Sequence, residues 1–265
     1  MNRNYPKIMG IINVTPDSFS DGGDYFDKNA AIQRAFEMIN TGADILDIGG
    51  ESTRPGSKNV GIIEELERVI PVIKGIRKHN KKIKISIDTT KSEVAEEAIK
   101  AGADIINDIS GLTFDEDIAE VAAKFEKGLI LMHILGTPQN MQKNPAYNDV
   151  VQDVKKALKE KIEYASAKGV KEIYADTGIG FGKTVDHNLE LLRNHSEFGE
   201  LEVPMVLGIS RKSFFDKLFD LKDAKERDLP TMVAHAFLIQ KNTDIIRVHN
   251  VKNAIILRNL YNFLN

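Results

Sequence analysis

Short apolar segments recur along the whole chain, and each is followed by polar residues and then by a stretch with helical periodicity. The apolar segments are typical of buried strands, and the stretches between them space their apolar residues as amphipathic helices do. The predicted strands are KIMGIIN, DILDIGG, IKISIDT, DIINDISG, LILMH, EIYADTG, MVLGIS and DIIRVHN. The predicted helices are AAIQRAFEMINTG, IEELERVIPVIKGIRK, KSEVAEEAIKAG, DEDIAEVAAKF, VVQDVKKALKEKIEYASAKG, VDHNLELLRN and KERDLPTMVAHAFLIQ.

One local phrase occurs three times, as TGADILDIGG, AGADIINDIS and NTDIIRVHN. Each copy reads as a helix end with a Gly or Asn stop that leads into a parallel strand. Strict alternation of strand and helix implies parallel strands with the helices outside. About eight such units match the usual size of a (β/α)8 TIM barrel. An open doubly wound sheet remains the alternative, although no GxGxxG motif follows any predicted strand.

No linker-like Ser, Gly or Pro tract divides the 265 residues, so we predict one domain over residues 1–265. Polar side chains lie at or just past the C-terminal ends of the predicted strands, which in a barrel converge on one face and carry the active site. Taken singly, such residues are often helix caps or turn formers, and Asp88 or Asp176 could be one of these. Asn107 is harder to explain in this way, because an amide inside a strand needs a hydrogen-bonding partner. The set is Asn13, Asp47 with Glu51, Asp88, Asn107, His133, Asp176, Ser210, and Arg247 with His249.

Several loops add candidate chemistry. Arg247 and His249 are two residues apart on one strand, so they point to one side and indicate an anion site formed by two cations. The segment GISRKSF, Gly208 to Phe214, places cations where a strand becomes a helix and where free N–H groups favour anions. The loop NVTPDSFSDGG, Asn13 to Gly23, contains one phenylalanine among polar and turn-forming residues.

Composition narrows the function classes. The chain is 42% hydrophobic and 28% charged, which is typical of a globular protein. Its net charge of -3 argues against a general nucleic-acid binder. The absence of cysteine excludes disulfides, a thiolate nucleophile and Cys-ligated zinc. Together with an N-terminal apolar run too short for a signal peptide or a membrane span, it favours a cytoplasmic protein with no membrane partner.

Taken together, the motifs resemble the dihydropteroate synthases, which are folate-pathway members of the pterin-binding barrel family. The resemblance runs in order through MGIINVTPDSFSDGG, DIGGESTRPG, SIDT, INDISG, MH followed by GTPQNMQ, DTGIGFGK, SRKSF and RVH. It implies condensation of 6-hydroxymethyl-7,8-dihydropterin diphosphate with p-aminobenzoate to give 7,8-dihydropteroate and diphosphate. It also implies inhibition by sulfonamides and a homodimer formed through helices near the C-terminus.

The resemblance assigns a role to each matched residue, and Asp21, Arg54 and Lys212 are the expected catalytic residues. The pterin is expected to contact Asp88, Asn107, Met132, Asp176, Phe181 and Lys212. The diphosphate is expected to contact Asn13, Thr53, Ser210, Arg247 and His249, with Mg2+ bound at Asn13. The p-aminobenzoate pocket is expected to contain Phe19, Thr53, Arg54, Pro55, Phe181 and Ser213, partly on two loops that close over the substrates.

The chain departs from the usual family pattern at three places. Thr177 stands where proline is usual in the glycine loop, and we expect it to loosen that loop. Ile134 and Leu135 replace a basic residue after His133, and Asn250 replaces an acid after His249.

Two other functions remain open. One is a methyltetrahydrofolate-dependent methyltransferase of the same barrel family, and the other is an inactive pterin-binding homologue.

Overall fold

The structure, a computed structural model, describes residues 5–15, 24–53, 56–57 and 59–264, and within these ranges eight parallel strands form one closed barrel. Each strand pairs with the next, and the last pairs with the first from Lys7 opposite Ile245 to Gly10 opposite Val248. The predicted (β/α)8 barrel is thereby confirmed, and the open sheet is excluded. The strands are β1 Lys7–Asn13, β2 Ile45–Gly49, β3 Lys84–Asp88, β4 Ile105–Asp108, β5 Gly128–Met132, β6 Ile173–Asp176, β7 Met205–Leu207 and β8 Ile245–Val248.

Helices surround the barrel, and none in the described part of the chain combines the length and apolarity that a bilayer span requires. The helix predicted to start at Lys225 begins instead as a 3-10 turn, Ala224–Arg227, and becomes α-helical at Asp228. The helix α7 begins within the segment GISRKSF, where the sequence predicts that a strand becomes a helix. The helix α9 is not among those that the sequence predicts, and it buries only Val251 and Ala254, so it lacks a clear apolar period. The helices are α1 Asp24–Thr41, α2 Ile62–His79, α3 Ser92–Ala101, α4 Asp117–Lys124, α5 Val150–Ala167, α6 Val185–Arg193, α7 Ser213–Phe219, α8 Asp228–Leu238 and α9 Val251–Leu264.

The barrel interior is layered because inward-pointing side chains recur at every second strand position. A lower layer is apolar and consists of Met9, Ile45, Ile105, Ile130, Tyr174, Val206 and Ile245. Two positions further along their strands, the inward row carries Asp47, Asn107, Met132, Asp176 and Arg247. The apolar layer therefore closes the bottom of the barrel, and the polar layer above it forms the floor of the C-terminal mouth.

The phrase that occurs three times in the sequence ties neighbouring strands together at the opposite end of the barrel. Its stop residues, Gly42, Gly102 and Asn242, have φ angles of 111°, 120° and 63°, as a left-handed helix stop requires. The aspartate that follows donates its N–H to a carbonyl near the start of the preceding strand, and its carboxylate accepts the N–H of that same residue. These reciprocal pairs are Asp44 with Ile8, Asp104 with Ile85, and Asp244 with Met205.

Replacing Asp104 with alanine should lower the free energy of unfolding by about 1–3 kcal/mol, because two donors then lose their acceptor. These donors are the N–H of Ile85 at 3.0 Å and Nη2 of Arg77 at 2.6 Å. Chemical denaturation measures the change. Glu97→Ala removes only an exposed helical ion pair with Lys100 and should change the stability by less than about 0.5 kcal/mol. Equal effects of the two substitutions would contradict the stapling role of Asp104.

Candidate active site

A buried ion-pair network occupies the centre of the mouth. The Nε of Arg247, on β8, donates to Oδ2 of Asp47 at 2.6 Å, and its Nη2 donates to Oδ2 of Asp88 at 2.5 Å. The side-chain amide of Asn107 donates to the same Asp47 oxygen at 3.1 Å. This is the partner that an amide inside a strand required, and it joins β4 to a network that already links β2, β3 and β8.

Burial and charge act in opposite directions in this network. Burial raises the pKa of Asp88 to about 7, although the adjacent Arg247 guanidinium works in the other direction. Burial also disfavours the charge on Arg247, but the carboxylates of Asp47 and Asp88 outweigh that effect and raise its pKa, so the guanidinium stays charged. The carboxyl group of Asp88 therefore holds its proton to a higher pH than an ordinary aspartate does.

A second cation lies across the mouth. The ammonium of Lys212 is 3.9 Å from the centre of the Phe181 ring, within cation–π range. Burial and the nearby Arg247 lower the pKa of Lys212 to about 7, while the charges of Asp176 and Asp88 favour its protonated form. Burial likewise raises the pKa of Asp176, and the N–H of Gly178, 2.8 Å from Oδ1, opposes that rise. The mouth thus contains an acid and a base that both titrate near neutrality, which is typical of functional sites.

The glycine loop DTGIGFGK packs directly against the end of β5. A Cβ at Gly178 would lie 1.8 Å from the carbonyl oxygen of His133, so only glycine fits there, and its φ of 65° is left-handed. Thr177 is fully buried, and its hydroxyl has no hydrogen-bond partner among the described residues. The loop is nevertheless held at many points, including Asn188 to the N–H of Gly180 at 2.7 Å. The loosening expected from Thr177 stays a prediction.

Lys183 ends this loop as a buried lysine, with 2% of its surface exposed. Its Nζ lies 2.9 Å from the carbonyl oxygen of Phe181 and 3.0 Å from Nδ1 of His133. Burial lowers the pKa of Lys183 to about 7 and that of His133 to about 3, so the imidazole is neutral and accepts from the amine. Lys183 therefore fixes the backbone of Phe181, whose ring faces Lys212.

An apolar wall lines one side of the mouth. Met132 and Phe181, both expected from the resemblance to contact a heterocycle, pack with Ile109 and Met141. Ile134, at one of the positions that depart from the family pattern, packs against this cluster as well. Such a wall beside carboxylates and an ammonium suits a flat ring with a polar edge.

The expected pair of cations at Arg247 and His249 is wrong in one respect. Burial, together with the charges of Arg211 and Arg247, lowers the pKa of His249 to about 3, so its imidazole is neutral. Its Nδ1 lies 3.0 Å from the hydroxyl of Ser210, which also accepts the N–H of His249 at 3.1 Å. The structure therefore places the guanidinium of Arg247 beside two hydrogen-bonding groups, Ser210 and His249, at this edge of the mouth.

The remaining predicted residues divide into those near the mouth and those outside the described residues. Asn13 ends β1, half-buried, and Thr53 lines a cavity of about 630 Å³ together with Asp88 and Ile109. Ser213 is exposed at the start of α7. Asp21, Phe19, Arg54 and Pro55 lie outside the described residues. Among the described residues, no group of three or more His, Asp or Glu side chains is arranged to hold a metal ion.

Two residues of the site have no role that the sequence patterns assign. Asp47 stands at an inward position within an apolar strand, as Asn107 does, and that shared frame is the available signal for their contact. Lys183 appears in the sequence only as the end of a glycine loop. Nothing local in the sequence distinguishes a buried lysine from an exposed one, because its burial depends on the packing of β5 beside the loop.

The chain is similar to known proteins over almost its whole length. The profile of the family described as pterin binding enzyme matches residues 9–249. Dihydropteroate synthase from Synechocystis sp. is 47% identical over 247 residues, which cover 92% of this chain and 85% of that protein. The chain therefore belongs to the pterin-binding enzyme family, and within that family to the dihydropteroate synthases.

Solved structures agree with this assignment. A crystal structure of dihydropteroate synthase from Clostridium difficile in the presence of pteroic acid is 42% identical, with a TM-score of 0.91, and the match covers 98% of this chain and 97% of that chain. The dihydropteroate synthase of Yersinia pestis, in complex with a sulfonamide drug, is 38% identical with a TM-score of 0.91, and the match covers 98% and 94% of the two chains.

The buried amine of Lys183 should make stability depend on pH in a predictable direction. Its folded pKa of about 7 lies below the value of about 10.4 for an unfolded lysine, so the unfolded state binds more protons between these values. The wild type should therefore gain stability relative to Lys183→Met as pH rises from about 7 toward about 10, by at most about 1.4 kcal/mol per pH unit. Denaturant unfolding of both proteins across this range measures the difference. Parallel stability curves would show that Lys183 keeps an ordinary pKa in the fold.

Proposed function

We propose that this chain condenses 6-hydroxymethyl-7,8-dihydropterin diphosphate with p-aminobenzoate, giving 7,8-dihydropteroate and diphosphate. Membership of the dihydropteroate synthases supports this reaction. The observation in the site that carries it is the convergence of Asp88, Asn107, Asp176 and Lys212 beside an apolar wall. The apolar wall matches the faces of a pterin ring, and the four polar side chains match its polar edge.

The pterin edge presents ring N–H groups, an exocyclic amine and a carbonyl. In the proposed complex, Asp176 and Asp88 accept from the N–H and amine groups, Asn107 adds an amide, and Lys212 donates to the carbonyl. Asp176 is well suited to accept two parallel bonds because the N–H of Gly178 fixes one of its oxygens. Met132 and Phe181 contact the ring faces, and Lys212 bridges the ring edge to Phe181.

The diphosphate is proposed to bind across the ends of β1, β7 and β8. In the described part of the chain, Arg247 uses Nε and Nη2 for the aspartates, which leaves Nη1 for an anion. Ser210 and neutral His249 add donors without further charge. Asn13 offers a neutral amide oxygen for Mg2+, and Thr53 lies on the neighbouring loop.

The described donor set fits magnesium rather than a metal held in a protein cage. Mg2+ binds through few protein ligands and mainly through phosphate oxygens and waters, so an asparagine at the mouth suffices. The ion would supply charge neutralisation of the departing diphosphate. The chain itself supplies the fixed charges around the pterin.

The amine substrate is proposed to bind on the outer side of Phe181, near Ser213 and Thr53. Phe19, Arg54 and Pro55, together with the catalytic role of Asp21, belong to this proposal through the family resemblance. A sulfonamide would compete there, as expected of a p-aminobenzoate mimic. The cytoplasmic location favoured by the lack of cysteine stays a prediction.

Product formation from the two substrates, with and without Mg2+, tests the reaction directly. We expect turnover that requires both substrates and falls steeply when Mg2+ is removed.

Asp176→Asn should weaken pterin binding by about 1.5–3 kcal/mol, because an amide cannot accept from both the ring N–H and the amine. Calorimetry with a pterin that lacks diphosphate measures that loss. Pterin binding without turnover would favour an inactive homologue, and methyl transfer from methyltetrahydrofolate would favour the methyltransferase.

We also propose that the chain forms a homodimer through α8 and α9. Leu229 and Val233 on α8 and Ile256 and Leu260 on α9 are between 49% and 72% exposed. They line one groove of about 540 Å³ with Met232 at its base. An apolar surface of this kind is unusual for a monomer, and a second copy of the same face would bury it.

Leu229→Glu should convert the dimer to a monomer, because each interface would then bury two uncompensated carboxylates. Sedimentation equilibrium of the wild type and the variant measures the mass. Ile63→Glu provides a matched control, since Ile63 is 76% exposed on α2, away from this groove. Ile63→Glu should leave the dimer intact, and a monomeric wild type, or a dimer that survives Leu229→Glu, would refute the proposed interface.

A further inference from the structure

Arg211 has an unusual backbone conformation in the turn between β7 and α7. Its φ is 58°, in the left-handed region that non-glycine residues rarely occupy. A conformation of this kind persists only where the surrounding structure imposes it. Its two neighbours are Ser210, which contacts His249, and Lys212, which lies over Phe181. The conformation of Arg211 therefore sets the directions of two predicted ligand-binding residues.

Both the backbone and the side chain of Arg211 are held by the start of α8 and the turn before it. Its N–H donates to the hydroxyl of Thr231 at 3.2 Å, and its carbonyl accepts from Nη1 of Arg227 at 3.3 Å. Its guanidinium donates to both oxygens of Asp228, from Nε at 2.6 Å and from Nη2 at 2.8 Å. The bidentate pair fixes the side chain, while the other two bonds fix the backbone on each side of it.

Asn250 completes this arrangement from the other side. Its Oδ1 accepts the N–H of Asn253 at 3.1 Å and so caps α9. Its Nδ2 donates to Oδ2 of Asp228 at 2.9 Å, the oxygen that also receives Nη2 of Arg211. An aspartate at position 250 could still cap the helix. It could not donate to Asp228, and it would place a second carboxylate beside the first.

We propose that Asn250 and Asp228 are positioning residues for the reaction, because together they hold Arg211 in the conformation that directs Ser210 and Lys212 into the mouth. The amide at position 250 allows Asp228 to face Arg211 as a single, hydrogen-bonded negative charge. Burial disfavours that charge, but the hydrogen bonds from Arg211 and Asn250 prevail and lower the pKa of Asp228. This unit explains why the chain tolerates an amide where the family pattern has an acid.

A charge-swap cycle with Asn250→Asp, Asp228→Asn and the double variant tests the inference. Each single variant should weaken binding of inorganic diphosphate and raise the Michaelis constant for the pterin diphosphate by about 10-fold, within the range of directly coupled residues. The double variant restores one carboxylate and one amide and should recover to within about 3-fold of the wild type. Asp220→Asn, which alters an exposed carboxylate at the end of α7, should change neither quantity.

The pH profile separates positioning from simple loss of stability. Two adjacent carboxylates share a proton as pH falls, and the carboxyl group that Asn250→Asp introduces can, once protonated, donate as the amide does. The defect of Asn250→Asp should therefore shrink toward low pH, whereas that of Asp228→Asn should persist. Circular dichroism and melting temperature show whether each variant is folded, and Asp228→Asn tests the same contact without adding a charge.

Recovery in the double variant, together with the opposite pH profiles, would support the inference. A double variant no better than the single ones, or single variants that bind diphosphate as the wild type does, would overturn it. Measuring the Michaelis constant requires that the protein catalyse the proposed reaction. The diphosphate titration needs no turnover, so the positioning role and the reaction can fail separately.

Discussion

The mouth of the barrel depends on one interaction, the ion pairing of the Arg247 guanidinium with two aspartates. The guanidinium is the positive charge that two buried aspartates share, Asp47 at 2.6 Å and Asp88 at 2.5 Å. Without it, these carboxylates would face each other in a region of low polarity, where an unpaired charge costs several kcal/mol. Because its planar fork reaches both of them at once, it also fixes the relative positions of β2, β3 and β8. The ligand-binding residues inherit their geometry from that arrangement.

Other parts of the structure support this ion-pair network and the ligand-binding residues around it. The apolar layer below it excludes water, so each polar contact above is electrostatically stronger than it would be at the surface. Lys212 depends on the strained turn at Arg211, and Phe181 depends on the buried amine of Lys183. Each of these two groups that face the mouth is thus held by a second residue that does not face it. Such support keeps a site in one geometry before any substrate arrives.

The fold was predictable because its signal is local and repeated. The alternation of strands with helices indicated the barrel, and the position of polar residues after strands gave Asp88, Asn107, Asp176 and Arg247 their common location. The helix α9 was not predicted because its apolar residues are spread around the helix, and only Val251 and Ala254 are buried. The lowered pKa of His249 and the burial of Lys183 could not be predicted from local patterns either, since both result from packing between segments that are distant in sequence. The motifs shared with the dihydropteroate synthases supplied residue roles that periodicity alone could not.

The span of the Arg247 contacts also bears on how the molecule folds. They join residues 200 and 159 positions apart, and Arg247 lies on the last strand to be synthesised. A growing chain that has formed β1 to β3 holds both aspartates and lacks their counter-ion. A partial barrel must then protonate or hydrate these groups, which opposes its tight collapse. Closure by β8 removes that penalty at the same moment that it pairs with β1. The charge network therefore makes barrel closure more cooperative and disfavours compact forms that lack the final strand.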